Sequence, residues 1–191
     1  MFKRRKPLTL SQTAKQLLWP AMGWKRSLVY MKHRLLRVAD TTHSIALGLA
    51  IGLGVSFTPL LGTHFIQAAI IAIILRGNVI TAMMGTWIGN PWTFPFFWWA
   101  GFSFGSFLFS FLGIEGASTI PENLSLSVIY HDFWSLFMPW MFGGYILLVI
   151  SVPVTYPIYY KIIESAKKAR DKAKALRVEE RKDKRMKAKK K

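Results

Sequence analysis

The chain has 191 residues, with 26 Lys or Arg against 9 Asp or Glu, 52% hydrophobic residues and no cysteine. The length allows about one domain, and the absence of cysteine excludes a disulfide, a thiolate nucleophile and a cysteine metal site. A net charge of +17 suggests a nucleic-acid binder only where the charge is spread through a soluble fold, and here it is confined to the ends.

Residues 1–40 hold ten basic side chains and Asp40, and residues 161–191 hold fifteen basic and five acidic ones. The 120 residues between hold only Arg76, Glu115, Glu122 and Asp132. A soluble globule with so little charge would lack a hydrated surface, so the expectation is an all-α, polytopic integral membrane protein. No nucleic-acid partner is expected on this reading. Three regions follow: a basic cytoplasmic region at 1–43, a membrane domain at 44–160 and a basic cytoplasmic tail at 161–191.

In chain order, Trp24, Leu28, Met31, Leu35 and Val38 recur at steps of three or four, with Lys25, Arg26, Lys32, Arg34 and Arg37 on the other faces. That spacing predicts an amphipathic helix lying at anionic lipid headgroups, with Trp24 and Tyr30 at headgroup depth. The first long apolar run begins only at Ser44, too far along for a cleavable signal.

Three stretches lack Asp, Glu, Lys and Arg: Ser44 to Leu75, Val79 to Ile114 and Phe133 to Tyr160. As straight helices the first two would be about 48 and 54 Å long, against a bilayer core of about 30 Å. Each contains an interruption, Thr58-Pro59-Leu60-Leu61-Gly62 in the first and Asn90-Pro91-Trp92-Thr93-Phe94-Pro95 in the second. Proline removes a backbone donor and biases the preceding residue away from helix, so both stretches are expected to break there. Basic ends stay on the cytoplasmic side, so the number of crossings is even. The first stretch is therefore read as a re-entrant segment or tight hairpin, with Arg76 returned to the cytoplasm. The second crosses outward as a broken helix. The segment Glu115 to Asp132 is an external loop, and the third stretch returns over about 20 residues before Pro153 and Pro157 end it. The tail has helix-favouring composition without a sustained apolar face, as in a solvated helix or a disordered arm.

Paired broken helices point to a transport site, because their freed backbone groups need protein or a water-filled cavity around them. Kinked packing helices are the plainer alternative. Polar residues gather at the breaks: Thr58, Thr63, His64 and Gln67 at the first, Thr86, Asn90 and Thr93 at the second. Each could serve as an interhelical hydrogen bond or as a substrate contact. Arg76, followed by Gly77 and Asn78, reads either as an anchor for a phosphate or carboxylate or as a topogenic arginine at a turn. The candidate substrate-binding set is Thr58, Pro59, Gly62, His64, Gln67, Arg76, Asn78, Thr86, Asn90, Pro91 and Thr93. Gly48 and Gly52, Gly85 and Gly89, and Gly101 and Gly105 form small-residue pairs that let helices approach, within the chain or between copies in a homo-oligomer.

Enzyme signatures are missing: there is no H-E-x-x-H, G-x-S-x-G, P-loop or G-x-G-x-x-G, and His33, His43, His64 and His131 form no local metal motif. No enzymatic activity, cofactor or metal is expected.

The run Ile45-Ala46-Leu47-Gly48-Leu49-Ala50-Ile51-Gly52, then Thr58-Pro59-Leu60-Leu61-Gly62-Thr63-His64, Arg76-Gly77-Asn78 and Gly85-Thr86-Trp87-Ile88-Gly89-Asn90-Pro91-Trp92-Thr93 resembles the bacterial membrane family called domain of unknown function 2062. The resemblance extends over about 44–160 when the third stretch is included, and it implies a bacterial inner-membrane protein. The family name carries no activity. From the residues, the functional expectation is a small carrier or channel-like protein for an anionic or lipid-linked substrate. A non-transporting scaffold binding lipid or partners through its basic ends is the rival.

Overall fold

The computed structural model describes Arg26, Val29, Tyr30, Leu35 and Val38, then residues 40–114 and 133–189. The chain divides into two units, Met1–Val38 and Ala39–Lys191. In the first, Arg26, Val29, Tyr30 and Leu35 are helical and the Val38 N–H donates to Leu35 O at 3.2 Å. Trp24, Leu28 and Met31 of the expected amphipathic helix, and the segment Glu115 to Asp132, lie outside the described residues.

Every described element of the second unit is helical. Helix α1 is Thr42–Val55 and α2 is His64–Ile74. Helix α3 is Val79–Gly85, prolonged by a 3-10 turn at Thr86–Ile88. Helix α4 is Phe94–Phe111, and α5 is Phe133–Lys189. Helix α1 starts on Thr41, whose side chain accepts from Ser44 N at 3.1 Å, an N-cap that satisfies one orphan donor. It ends where Ser56, Thr58 and Pro59 take over the backbone. Between α2 and α3 the chain reverses on Arg76, a non-glycine residue with φ 57°, and Gly77 N closes back on Ala72 O at 2.8 Å. Asn78 caps α3, accepting from Thr81 N at 2.9 Å. Both apolar stretches therefore break where proline and glycine fall. Pro95 starts a helix rather than stopping one, sitting in the first turn of α4.

The third stretch differs from expectation. Helix α5 does not end at Pro153 and Pro157 but passes through them, and through Pro139, to Lys189. Ser151 and Thr155 hydroxyls donate to Leu148 O and Ser151 O at 3.0 and 2.7 Å, next to the Val149 and Pro153 carbonyls that lose their i→i−4 donor to Pro153 and Pro157. Beyond them the Lys-, Ala- and Arg-rich tail favours helix and prolongs the same axis.

Helix α1 is the central element, packed against α3 and α5, and α4 packs on the first half of α5. Glycine makes these approaches close. A Cβ on Gly52 would fall 2.6 Å from Gly85 Cα, and one on Gly143 would fall 2.5 Å from Gly105 N. The small-residue pairs thus serve contacts within the chain. Around them Ile51, Val55, Ala68, Ala72, Ala82 and Leu148 form a small buried core. Helix α5 carries the stretch that is long and apolar enough to cross a membrane, the only such helix among the described residues.

Candidate functional site: two levels of polar side chains

Ser44 in the first turn of α1 and Ser56 at its C-cap stand about 18 Å apart along the axis, and the polar side chains collect at these two ends. At the far end the two interruptions meet. A Cβ on Gly89 would lie 2.6 Å from Ser56 Oγ and 3.0 Å from Phe94 Cε1, and the His64 ring stacks on Phe94 with centroids 5.5 Å apart. Gly144 of α5 closes against the same point, since a Cβ there would fall 2.5 Å from Phe57 O.

Within the first interruption the buried His64 holds Thr58 O through Nε2 at 3.1 Å. The Thr58 hydroxyl, fully buried, donates to Val55 O at 2.8 Å and lies 3.4 Å from Gln67 Oε1. Tyr145 of α5 donates to that same Gln67 oxygen at 3.0 Å, and Gln67 Nε2 donates to Thr63 Oγ1 at 2.7 Å. Three candidate residues, Thr58, His64 and Gln67, are thereby brought into one network with Thr63 and Tyr145. Gly62 supplies the positive φ of 84° that the turn needs, and Pro59 is buried at its start.

The second interruption is self-contained. Asn90 Oδ1 accepts from Trp92 N and Thr93 N at 2.9 and 3.2 Å, Asn90 N donates to Thr93 Oγ1 at 3.0 Å, and the Thr93 hydroxyl also reaches Ile88 O. This is an Asx turn closed by a threonine, which supplies the backbone bonds that Pro91 removes. Pro91 is exposed, and Thr86 donates its hydroxyl to Met83 O within its own helix at 2.8 Å. Next to this turn Phe94 stacks on Trp98 at 5.2 Å, and Trp98 meets Trp140 edge-on at 5.2 Å. The indole N–H groups of Trp98 and Trp140 and the Ser106 hydroxyl are buried without a hydrogen-bond partner.

The remaining candidates, Arg76 and Asn78, lie at the other level. Asn78 Nδ2 donates to Asp40 Oδ2 at 2.8 Å, and Asn78 N donates to Ser44 O at 2.9 Å. Asp40 also accepts from Ser44 Oγ at 2.9 Å and Thr41 N at 2.7 Å, while Lys167 Nζ on α5 donates to Asp40 O at 2.6 Å. The Asn78 amide above all, with the Thr41 N–H, the Ser44 hydroxyl and the Lys167 charge, holds the Asp40 carboxyl below its usual range. Nearby, His43 Nδ1 and the Tyr156 hydroxyl are 2.6 Å apart. Arg76 is exposed beside this cluster.

The eleven candidates therefore fall into two groups a helix length apart. Sequence reasoning missed Tyr145, Asp40, Ser44 and Lys167. Asp40 carried a signal, as the only acid among ten bases in the first forty residues; Tyr145, 78 positions from its partner, carried none.

A family model described as an uncharacterized protein conserved in bacteria, domain of unknown function 2062, matches residues 25–172. The chain belongs to that family. The matched region takes in both polar levels and the apolar part of α5, and stops before the end of the cationic tail. No curated protein and no solved structure matches the chain.

Proposed function

We propose that this member of the family is a bacterial inner-membrane protein with both termini in the cytoplasm, acting as a small non-enzymatic carrier or channel-like protein for an anionic or lipid-linked substrate. The observation that carries the reading is the meeting of the two interruptions beside Gly144, about 17 Å along α5 from Phe133 and about 24 Å from Tyr160. Paired breaks deep in an apolar fold are the pattern of a transport site. The buried, unpartnered indole N–H groups of Trp98 and Trp140 beside them are donors suited to acceptor oxygens, and such groups call for a partner.

In this reading the level of Asp40, Arg76 and Lys167 faces the cytoplasm, because basic residues stay inside. Helices α1 and α2, about 21 and 17 Å long, are too short to cross and form a re-entrant hairpin. Helix α3 and α4 together cross outward as one broken span, and α5 crosses back. The exposed Phe65, Ile66, Ile70 and Ile73 of α2 then meet lipid. Arg76 serves as a first contact for an anionic group at the cytoplasmic mouth, about 18 Å from the breaks, rather than as a ligand within them.

The cysteine-free chain allows a direct test. With a single cysteine in place of Gln67, a membrane-impermeant thiol reagent is expected to label the protein from the cytoplasmic side. Labelling at Arg76→Cys but none at Gln67→Cys would mean that water never reaches the breaks, and the carrier reading would be lost. The scaffold is the second reading, favoured by the mutual bonding of Thr58, His64, Gln67 and Tyr145, which leaves each already partnered. Cells dependent on the protein should tolerate deletion of residues 173–191, which spares Lys167 and its bond to Asp40, if it is a carrier and fail if it is a scaffold.

A further inference from the structure

The tail of α5 is a helix whose charges are sorted by face. At 100° per residue, Arg170, Lys174, Arg177 and Arg181 fall within an arc of about 60°, while Glu164, Asp171, Glu179 and Glu180 lie at least about 60° outside it. Their steps of four, three and four place one cation per turn along about 17 Å, and in sequence Lys184 continues the series. Every side chain from 171 to 182 is exposed. On the acidic side Lys168 is paired with Glu164 at 2.8 Å. Net charge alone would not produce this segregation. It leaves one face repelling cations less and anions more, and the other attractive to an extended polyanion along its whole length.

The position of the stripe selects the polyanion. Helix α5 is continuous from Phe133, and Lys167 fastens it to Asp40 at the start of α1. On the reading that α5 crosses the membrane with Tyr160 at the surface, Arg170 stands about 15 Å and Arg181 about 32 Å beyond it along the axis. The field of anionic headgroups decays over about 8 Å at physiological ionic strength, so most of the stripe lies outside it. Three of the four stripe residues are arginine, whose planar fork matches phosphate oxygens, and no aromatic side chain is interleaved to stack on bases. We infer that the stripe is a docking face for the sugar-phosphate backbone of a cytoplasmic nucleic acid, held without sequence preference. The sequence-based expectation excluded such a partner because the charge was terminal; a helical tail that carries the charge away from the membrane removes that objection.

The test uses the full chain in nanodiscs of zwitterionic lipid and a fluorescent single-stranded RNA of about 20 nucleotides. Arg177→Gln with Arg181→Gln removes two stripe charges, and Lys172→Gln with Lys182→Gln removes two from the acidic side, so net charge is equal in the two variants. The stripe variant is expected to bind about tenfold more weakly, with the slope of log affinity against log salt reduced by about 1.4, while the control variant keeps the wild-type affinity. Equal losses in the two variants, or no binding by the wild type, would overturn the inference. A fluorophore on Met186→Cys separates this from the membrane reading. Energy transfer to headgroup acceptors should stay low in discs with and without anionic lipid. A label that moves onto anionic headgroups and excludes the RNA would make lipid the partner and sink the proposal, whatever the span arrangement proves to be.

Discussion

The Pro59 interruption and the Asn90-Pro91 interruption lie side by side but hold their backbones by different means. In the second, Asn90 and Thr93 bond to their own turn, and the motif would form wherever the four residues occur. In the first, Thr58, His64 and Gln67 bond to one another and to Tyr145 on α5, so the turn depends on a helix 78 positions away. A turn that supplies its own hydrogen bonds is a rigid hinge post. A turn bonded through a neighbouring helix can change partners when that helix moves, so on the proposed carrier reading the first interruption is where a substrate would compete for hydrogen bonds.

The strongest way to break this pairing is to force the two turns apart from α5. Gly144→Leu places a side chain against Phe57 O, which is backbone and cannot swing away. Loss of about 3 kcal/mol, or failure to fold, is expected, read as thermal denaturation of the detergent-solubilised protein. Met141→Leu, on the same helix with its side chain half-buried, should stay near wild type and shows that the effect is local. A second, smaller effect separates the turns themselves. Asn90→Ala should destabilise by about 1 kcal/mol, as loss of a capping side chain does, and the loss should be the same with or without Tyr145→Phe.

Coupling between Gln67 and Tyr145 is the complementary measurement. In a double-mutant cycle with Gln67→Leu and Tyr145→Phe, an interaction energy of about 0.6 kcal/mol is expected, the size typical of hydrogen bonds inside membrane proteins. The same cycle run between Asn90 and Tyr145 should give nothing measurable. Coupling in the wrong pair would show that the two turns respond as one unit.

What could be read from the residues divides along the same line. The ends of α1, α3 and the start of α4 follow from Thr41, Pro59, Asn78 and Asn90, because caps and proline act on the backbone within a few positions. The run of α5 through Pro153 and Pro157 could not be read, since proline within a stretch argues for a stop, whereas the packing of Leu148 and Ser151 against Gly54 of α1 joins residues far apart in the sequence. Gln67 was legible as a polar residue at a break, but its partner was not. Asn78 was legible as a polar residue beside Arg76, but nothing in the sequence signals that Asp40, 38 positions earlier, folds against it.

The Asp40 cluster contrasts with both turns because it alone is built on a charge, and that makes it sensitive to pH. Its carboxyl titrates below its ordinary value in the folded protein, chiefly because the Asn78 amide donates to it. A carboxyl depressed by folding adds stability that is present above the unfolded value near 3.9 and is lost as pH falls through the folded value. Asp40→Asn removes that contribution at neutral pH, and its single amide oxygen can keep either the Thr41 N–H, which bonds Oδ1, or the Ser44 and Asn78 donors, which bond Oδ2, but not both sets. The melting temperature of the wild type should therefore exceed that of Asp40→Asn at pH 6, and the gap should narrow progressively as pH falls from about 5 toward the folded value of the carboxyl. A gap that is the same at both ends of the range would mean that Asp40 acts through shape and hydrogen bonds alone. The turns at Pro59 and Asn90, with no carboxylate among their bonded groups, should leave the gap between wild type and Asn90→Ala unchanged over the same interval.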